Sequence, residues 1–212
     1  MIASTLPQNR CSLVDVGAGV GFLGDHLAGR RPDVSYAFVE PVPALERQLA
    51  ERFGAEANRR GRDFAGASHV ALLDVLEHQG DDRTFLDDLA ARMDPGATLL
   101  LTVPAMPSLW SRWDLRLGHF RRYTRTMLKA TVAPLPFDPR ETSYLFPELV
   151  PAAWWRRLRD RGDPGAAADE AEFPDLPRPL NAALYRLSSA TTAARRRWPL
   201  GTSLFAVLRR SA

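Results

Sequence analysis

Apolar residues along this chain fall into two kinds of short segment, separated by polar turns rich in glycine and proline. The compact runs at 11–16, 35–40, 69–75, 97–103 and 137–146 predict strands. Between them, apolar residues recur every three or four positions. Leu23 and Leu27 mark a helix at 22–30, and Leu45, Leu49 and Phe53 mark another at 44–54. Phe85, Leu86 and Leu89 mark a third at 82–93, which ends in the tight turn Asp94-Pro95-Gly96. Thr124 is a predicted N-cap for a helix at 125–133. Strands alternating with helices predict an α/β doubly wound parallel sheet. Right-handed crossovers then bring the C-terminal ends of the strands to one edge, where such sheets bind ligands. Gly17, Glu40, Asp63, Asp74 and Pro104 would line that edge.

The first strand runs straight into a turn with glycine at positions 17, 19 and 21, followed by a helix start. Glycines at every second position let the chain turn sharply and let a ligand come close to the main chain. Strand, glycine turn and helix N-terminus together make a nucleotide-binding corner. Asp15 sits inside the apolar strand, where an unpartnered carboxylate would be costly. Glu40 ends the next strand.

Composition adds limits. The 212 residues suffice for one α/β domain with a sizeable core. Net charge is only +3, so any basic surface is local. All basic residues but Lys129 are arginine, which reads as genome composition and not as a nucleic-acid signature. Cys11, as the lone cysteine, excludes an internal disulfide framework and the usual structural zinc sites. The first ten residues lack a signal peptide's apolar core, and no run approaches the roughly 20 apolar residues that span a bilayer. The expectation is a cytoplasmic protein.

The stretch 104–125 is richest in chemistry. Trp110, Trp113 and neighbouring leucines offer an apolar wall, and Asp114, His119, Arg121, Arg122 and Tyr123 are the polar groups among them. An apolar wall with a few polar groups is what a small-molecule pocket needs. His119 suits removal of a proton from a hydroxyl, with His78 in reserve; Arg121 or Arg122 suits an acidic substrate group. HFRRY reads equally as a cap that packs the following helix on the sheet, and His78 equally as structural. Glu77 reads as a helix-start or structural carboxylate. No metal-ligand cluster is evident, which argues against a cation-dependent mechanism.

Residues 147–202 interrupt the strand pattern. Leu149, Trp154, Trp155 and Leu158 predict one amphipathic helix, a Pro- and Ala-rich link follows, and NAALYRLSSATTAARRR predicts a second helix. This helical insertion reads as a lid, as packing on the domain, as a homodimer interface or, through its Trp and Arg residues, as a peripheral membrane contact.

Four separated motifs now stand in order: VDVGAGVGFLG, FVEP, LLDVLEH and MDPGATLLLTVPA. With LWSRWDLRLGHFRRYTRTML behind them, the chain resembles the class I S-adenosylmethionine-dependent methyltransferases of small-molecule type, in a subgroup carrying DVLEH. The resemblance covers residues 12–130 and extends to PLGTSLFAVLRR at 199–210. It implies a Rossmann-like seven-stranded sheet, mostly parallel with the last strand antiparallel, in a single domain spanning residues 1–212. It implies S-adenosylmethionine as cofactor, with Gly17, Ala18, Gly19 and Gly21 around the methionine end. Asp15 would position those amides, Glu40 followed by Pro41 would hold the ribose, and Asp63-Phe64 would meet the adenine. Asp74 and Val75 would lie beneath the cofactor. Trp110, Trp113, Asp114, Arg121 and Tyr123 would bind a small-molecule substrate, methylated at oxygen in a specialised-metabolite or saccharide intermediate. Two other readings stand beside it: a scaffold or different reaction on the same fold, and an NAD-dependent dehydrogenase, since Gly19, Gly21 and Gly24 satisfy G-x-G-x-x-G. Modest charge and the lack of an appended binding module argue against nucleic acid.

Overall fold

The computed structural model describes residues 1–61, 64–160 and 176–211. Its centre is a six-stranded sheet in the order β2-β1-β3-β4-β6-β5. The strands are β1 (Cys11–Val16), β2 (Val34–Val39), β3 (His69–Leu73), β4 (Thr98–Pro104), β5 (Phe137–Leu145) and β6 (Ser203–Arg210). The first four are mutually parallel, and β6 runs antiparallel between β4 and β5. Helices α1 (Ile2–Thr5), α2 (Phe22–Arg30), α3 (Pro43–Phe53) and α4 (Asp82–Ala91) accompany the parallel half. Helices α5 (Arg112–Arg116), α6 (Arg125–Val132), α7 (Val150–Asp160) and α8 (Arg178–Ala193) follow.

The apolar runs of β1, β3 and β4 become strands because they are covered on both faces, whereas the edge strand β5 exposes Asp138, Pro139 and Arg140. In β4, Leu99, Leu100 and Leu101 are all fully buried. Side chains alternate across a strand. Leu99 and Leu101 therefore join Val14, Leu72, Leu86 and Leu128 on one face, while Leu100 joins Leu13, Leu27 and Phe205 on the other. The N-terminal segment, which reads from sequence as a polar lead, instead places Ile2 and Leu6 in the second of these clusters.

Among the described residues the sheet has six strands, one fewer than expected. The missing strand falls at 55–61, where only Asn58 makes a parallel bridge, to Phe38. That stretch has no alternating apolar face to bury. Its polar side chains turn back on α3 instead: Glu46 accepts from Asn58 at 2.7 Å and pairs with Arg60 at 2.6 Å.

Helix α8 and the turn after it are tied down by polar contacts. Glu148 accepts from Ser188 at 2.6 Å and Thr191 at 2.9 Å, which fixes α8 beside the turn that precedes α7. Glu141 of β5 receives Arg195 at 2.6 Å and Arg196 at 2.7 Å. No helix among the described residues is long and apolar enough to cross a membrane.

Candidate functional site

The C-terminal ends of β1, β2, β3 and β4 share one edge of the sheet, and the strained backbone of the molecule gathers there. Asp74, Met106 and Phe146, the three non-glycine residues with left-handed φ among the described residues, each stand just past the end of a strand: β3, β4 and β5. Such positions cost about 1–3 kcal/mol each and concentrate at functional sites. The glycine turn adds Gly17, Gly19 and Gly21, all with positive φ.

These three glycines differ in what surrounds them. A Cβ on Gly17 would lie 2.5 Å from a methyl of Val75, and one on Gly21 would meet the Arg52 guanidinium and Leu49. A Cβ on Gly19 would meet nothing within 4 Å. Packing therefore explains Gly17 and Gly21, whereas Gly19 presents bare main chain to open space. The Gly17 and Ala18 amides donate to the Val39 carbonyl at 2.8 and 3.3 Å, which couples the turn to the end of β2. Gly24 lies inside α2, where a Cβ would press on Tyr36 and Phe53.

Glu40 is buried and completes the coupling. Its carboxylate accepts from the Gly19 amide at 2.8 Å and from the Val42 amide at 2.9 Å. Pro41, next along, is exposed. Glu40→Ala should weaken S-adenosylhomocysteine binding by roughly 1.5–3 kcal/mol, the range for hydrogen bonds to a charged group. Calorimetry with circular dichroism as a fold control checks it, and unchanged affinity would put the ribose elsewhere.

Asp15 is buried, and Tyr36 donates to it at 3.0 Å. Burial pushes its carboxyl up to about 6, against the Tyr36 hydrogen bond and helped by the charge on Glu40. The folded state thus favours the neutral form. Its stabilising contribution is complete below the ordinary carboxyl range and is lost as pH rises through about 6. A rise of about two units corresponds to about 3 kcal/mol. Asp15→Asn should therefore leave stability nearly unchanged at acid pH and raise it by about 2–3 kcal/mol at slightly alkaline pH. Urea unfolding at the two pH values tests this; equal effects at both would mean that Asp15 is not held neutral.

The adenine assignment is corrected. Asp63 lies outside the described residues. Phe64 is 1% exposed, its amide donates to Arg92 at 2.9 Å, and its ring lies under the Arg92 guanidinium. The segment Phe64–Ser68 then meets Ser12, at the start of β1. Phe64 therefore belongs to the core at the opposite edge from the glycine turn. The missing strand is the cause, because without it the chain has already turned back.

At the end of β3, Asp74 lies open to solvent while its amide donates to Thr102 of β4. Val75 packs on Gly17, and a single 3-10 turn, Leu76–His78, follows. The segment after β4 comes back to this point. The Phe120 amide donates to the Glu77 carbonyl at 2.8 Å, and the His119 and His78 rings meet edge to face at 4.8 Å. His119 Nδ1 is 3.1 Å from Asp114 Oδ1, and its Nε2 faces Glu77 Oε1 at 3.9 Å. His78 is exposed, and partial desolvation together with the charge of His119 lowers its pKa.

Three expected substrate contacts are committed elsewhere. Asp114 is fully buried and accepts from His119, from Arg122 Nε at 2.7 Å and from the Ser111 amide at 2.9 Å. Burial opposes its charge, but these bonds outweigh it and hold its carboxyl below the ordinary range. Tyr123 is 1% exposed and donates to Asp82 at 2.8 Å. Arg121 binds Asp82 at 2.9 Å and the Gly80 carbonyl at 2.5 Å. Arg121 and Tyr123 clamp the segment to α4, the packing reading of HFRRY. Trp110 and Trp113 remain half-exposed. Trp113, under the Arg156 guanidinium, lines a cavity of about 470 Å³ shared with Arg122, Leu149, Trp155 and Leu184.

Glu77 is the residue the sequence undervalues. It is fully buried, and neither carboxylate oxygen has a hydrogen-bond partner beyond a contact with its own amide. Burial, and then the charge of Asp74, pushes it up to about 8. Its flanking Val75 and Leu76 carry the signal, since an apolar turn drags the carboxylate inward. One ligand atom each from Glu77, His78 and His119 lies within 4.8 Å of the others. The sequence shows no such grouping, because it joins segments some forty residues apart.

A methyltransferase-domain family model matches residues 3–134. Among curated protein sequences none matches the chain. A SAM-dependent methyltransferase from Archaeoglobus fulgidus is similar in fold, with TM-score 0.58 and 11% identity over 98% of this chain and 89% of that one. Phosphoethanolamine N-methyltransferase 2 from Haemonchus contortus, in complex with S-adenosyl-L-methionine, aligns at TM-score 0.60 and 14% identity over 98% of this chain and 50% of that one. The [4+2]-cyclase SpnF aligns at TM-score 0.58 and 11% identity over 96% and 76%. At these identities the likeness is one of fold. The family match covers the glycine turn, the β3 end and the His119 segment together, and sets the dehydrogenase alternative aside. The chain belongs to the methyltransferase-domain family and is a class I S-adenosylmethionine-dependent methyltransferase.

Proposed function

We propose that this enzyme methylates an oxygen of a small molecule, a hydroxyl of a specialised-metabolite or saccharide intermediate. The observation that carries this reading is the cluster of Glu77, His78 and His119 at the strand edge beside the glycine turn. A hydroxyl acceptor must lose one proton as it is methylated, and this cluster is where titratable groups meet that edge.

The residues present fit the cofactor. Gly19 offers main chain to open space, where any Cβ would project into the ligand's place. Glu40 has carboxylate lone pairs left for the ribose diol beyond the two amides it accepts. Asp74 and Val75 would support the cofactor from below, and Asp15 would act on it through the β1 end. When bound, S-adenosylmethionine supplies a methyl group already activated by its sulfonium, and the carbon–sulfur electron pair stays with sulfur. The protein's task is then to align, to exclude water and to manage one proton. His119, held by Asp114 on one ring nitrogen, would serve the removal of that proton, with His78 beside it.

The acceptor would lie along Trp110 and Trp113. Residues 147–202 would form a lid over it within a single domain; the cavity between Trp113 and the α7 and α8 residues supports this. A scaffold or a different reaction on the same fold is the second reading, favoured by the likeness of fold to a cyclase. Calorimetry with S-adenosylhomocysteine and with NAD, followed by methyl transfer to hydroxyl-bearing metabolite and saccharide panels, tests the proposal. Cofactor binding without transfer to any hydroxyl would favour the second reading.

A further inference from the structure

We propose that Glu77, His78 and His119 form a binding site for a divalent first-row transition cation. Two imidazoles and a carboxylate are a donor set suited to such ions. The atoms are close enough already. Ligand bonds of about 2.0–2.2 Å allow two donors of one ion to stand up to about 4 Å apart. His119 Nε2 and Glu77 Oε1 are 3.9 Å apart, too far for a hydrogen bond and suited to a shared ion. The full set lies within 4.8 Å, so a small rotation of one ring closes it.

An independent observation points the same way. Glu77 is fully buried with neither oxygen hydrogen-bonded to another residue, and its Oε1 faces His119 Nε2. A buried carboxylate is normally paired or on a metal, because its desolvation is otherwise uncompensated. A cation among these three groups removes that deficit. The surroundings are already arranged for one. Asp114 holds His119 Nδ1 and so presents Nε2 to Glu77, as outer carboxylates do for metal-bound imidazoles. Asp114 is itself offset by Arg122 at 2.7 Å, which leaves the Glu77 charge for the ion. Asp74 adds a carboxylate that acts electrostatically on all three groups. His78 is exposed, so the solvent side stays open for water or a substrate oxygen.

For its consequence, though not for its existence, the site rests on the proposed O-methylation. With the ion bound, a hydroxyl on it would be a stronger acid and release its proton to solvent, so both histidines would serve as ligands and His119 would promote loss of the proton through the ion and not by accepting it. The test uses the full chain, stripped with EDTA and saturated with S-adenosylhomocysteine, and Mn²⁺ as the probe. Free Mn²⁺ is followed by electron paramagnetic resonance. One Mn²⁺ should bind per chain, and Glu77→Gln and His78→Ala should each weaken it by roughly tenfold or more. His78 is exposed, so its variant keeps the fold if Glu77→Gln does not. Binding of less than one Mn²⁺ per chain, or equal binding by wild type and His78→Ala, overturns the proposal. S-adenosylhomocysteine binding is measured separately. Its loss would count against the methyltransferase reading, while the Mn²⁺ stoichiometry still decides the cation site.

Discussion

Gly19→Val is expected to abolish S-adenosylhomocysteine binding while far-ultraviolet circular dichroism stays near that of wild type. A Cβ there meets nothing within 4 Å, so a valine side chain would project into open space at the mouth of the strand edge. In the proposed cofactor site, that is the space the methionine end would need. The cost to the fold is confined to the left-handed backbone, φ +57, which a β-branched residue tolerates poorly, by about 1–2 kcal/mol. Gly17→Ala is the contrasting control. Its Cβ meets Val75 at 2.5 Å, so the loss should appear as thermal destabilisation. Calorimetry should show at least a 10²-fold loss of affinity for Gly19→Val, the scale of about 3 kcal/mol. Normal binding by that variant would mean that the glycine turn does not cradle the cofactor.

The second large effect is expected at His119. His119→Ala should lower kcat by roughly 10²-fold or more on any acceptor that wild type methylates, the scale for a group that manages a proton in the transition state. Cofactor affinity should hardly change, because the ring contacts Asp114, Glu77 and His78 and none of the glycine-turn residues. The fold should survive, since Asp114 keeps Arg122 and the Ser111 amide as partners. Tyr123→Phe is the matched control. It removes only the hydrogen bond to Asp82, a buried clamp, and should cost stability of about 1 kcal/mol with kcat retained. Wild-type turnover by His119→Ala would make the histidine a packing residue of the same clamp.

The pattern of apolar runs determined β1, β3 and β4 to within about two residues, because such runs can be buried only as strands covered on both faces, and the edge strands β2 and β5 were placed as closely. It likewise determined the glycine turn, where backbone freedom is written in the residue type itself. Glu40 at the end of β2 was legible for the same reason: position along a parallel strand fixes position at the sheet edge. The missing strand at 55–61 was a matter of tertiary structure. Asn58 and Arg60 had a competing partner in Glu46 on α3, and no local pattern announces that competition. Phe64 was misplaced as a direct result. The roles within HFRRY were also decided in three dimensions. Whether Arg121 and Tyr123 face a ligand or a clamp depends on Gly80 and Asp82, which reach them only after β4 and the following segment fold back over α4. The same return brings His119 to Glu77 and His78. A carboxylate and an imidazole forty residues apart have no sequence signature as a pair, and their chemistry begins only when the sheet edge puts them 3.9 Å apart.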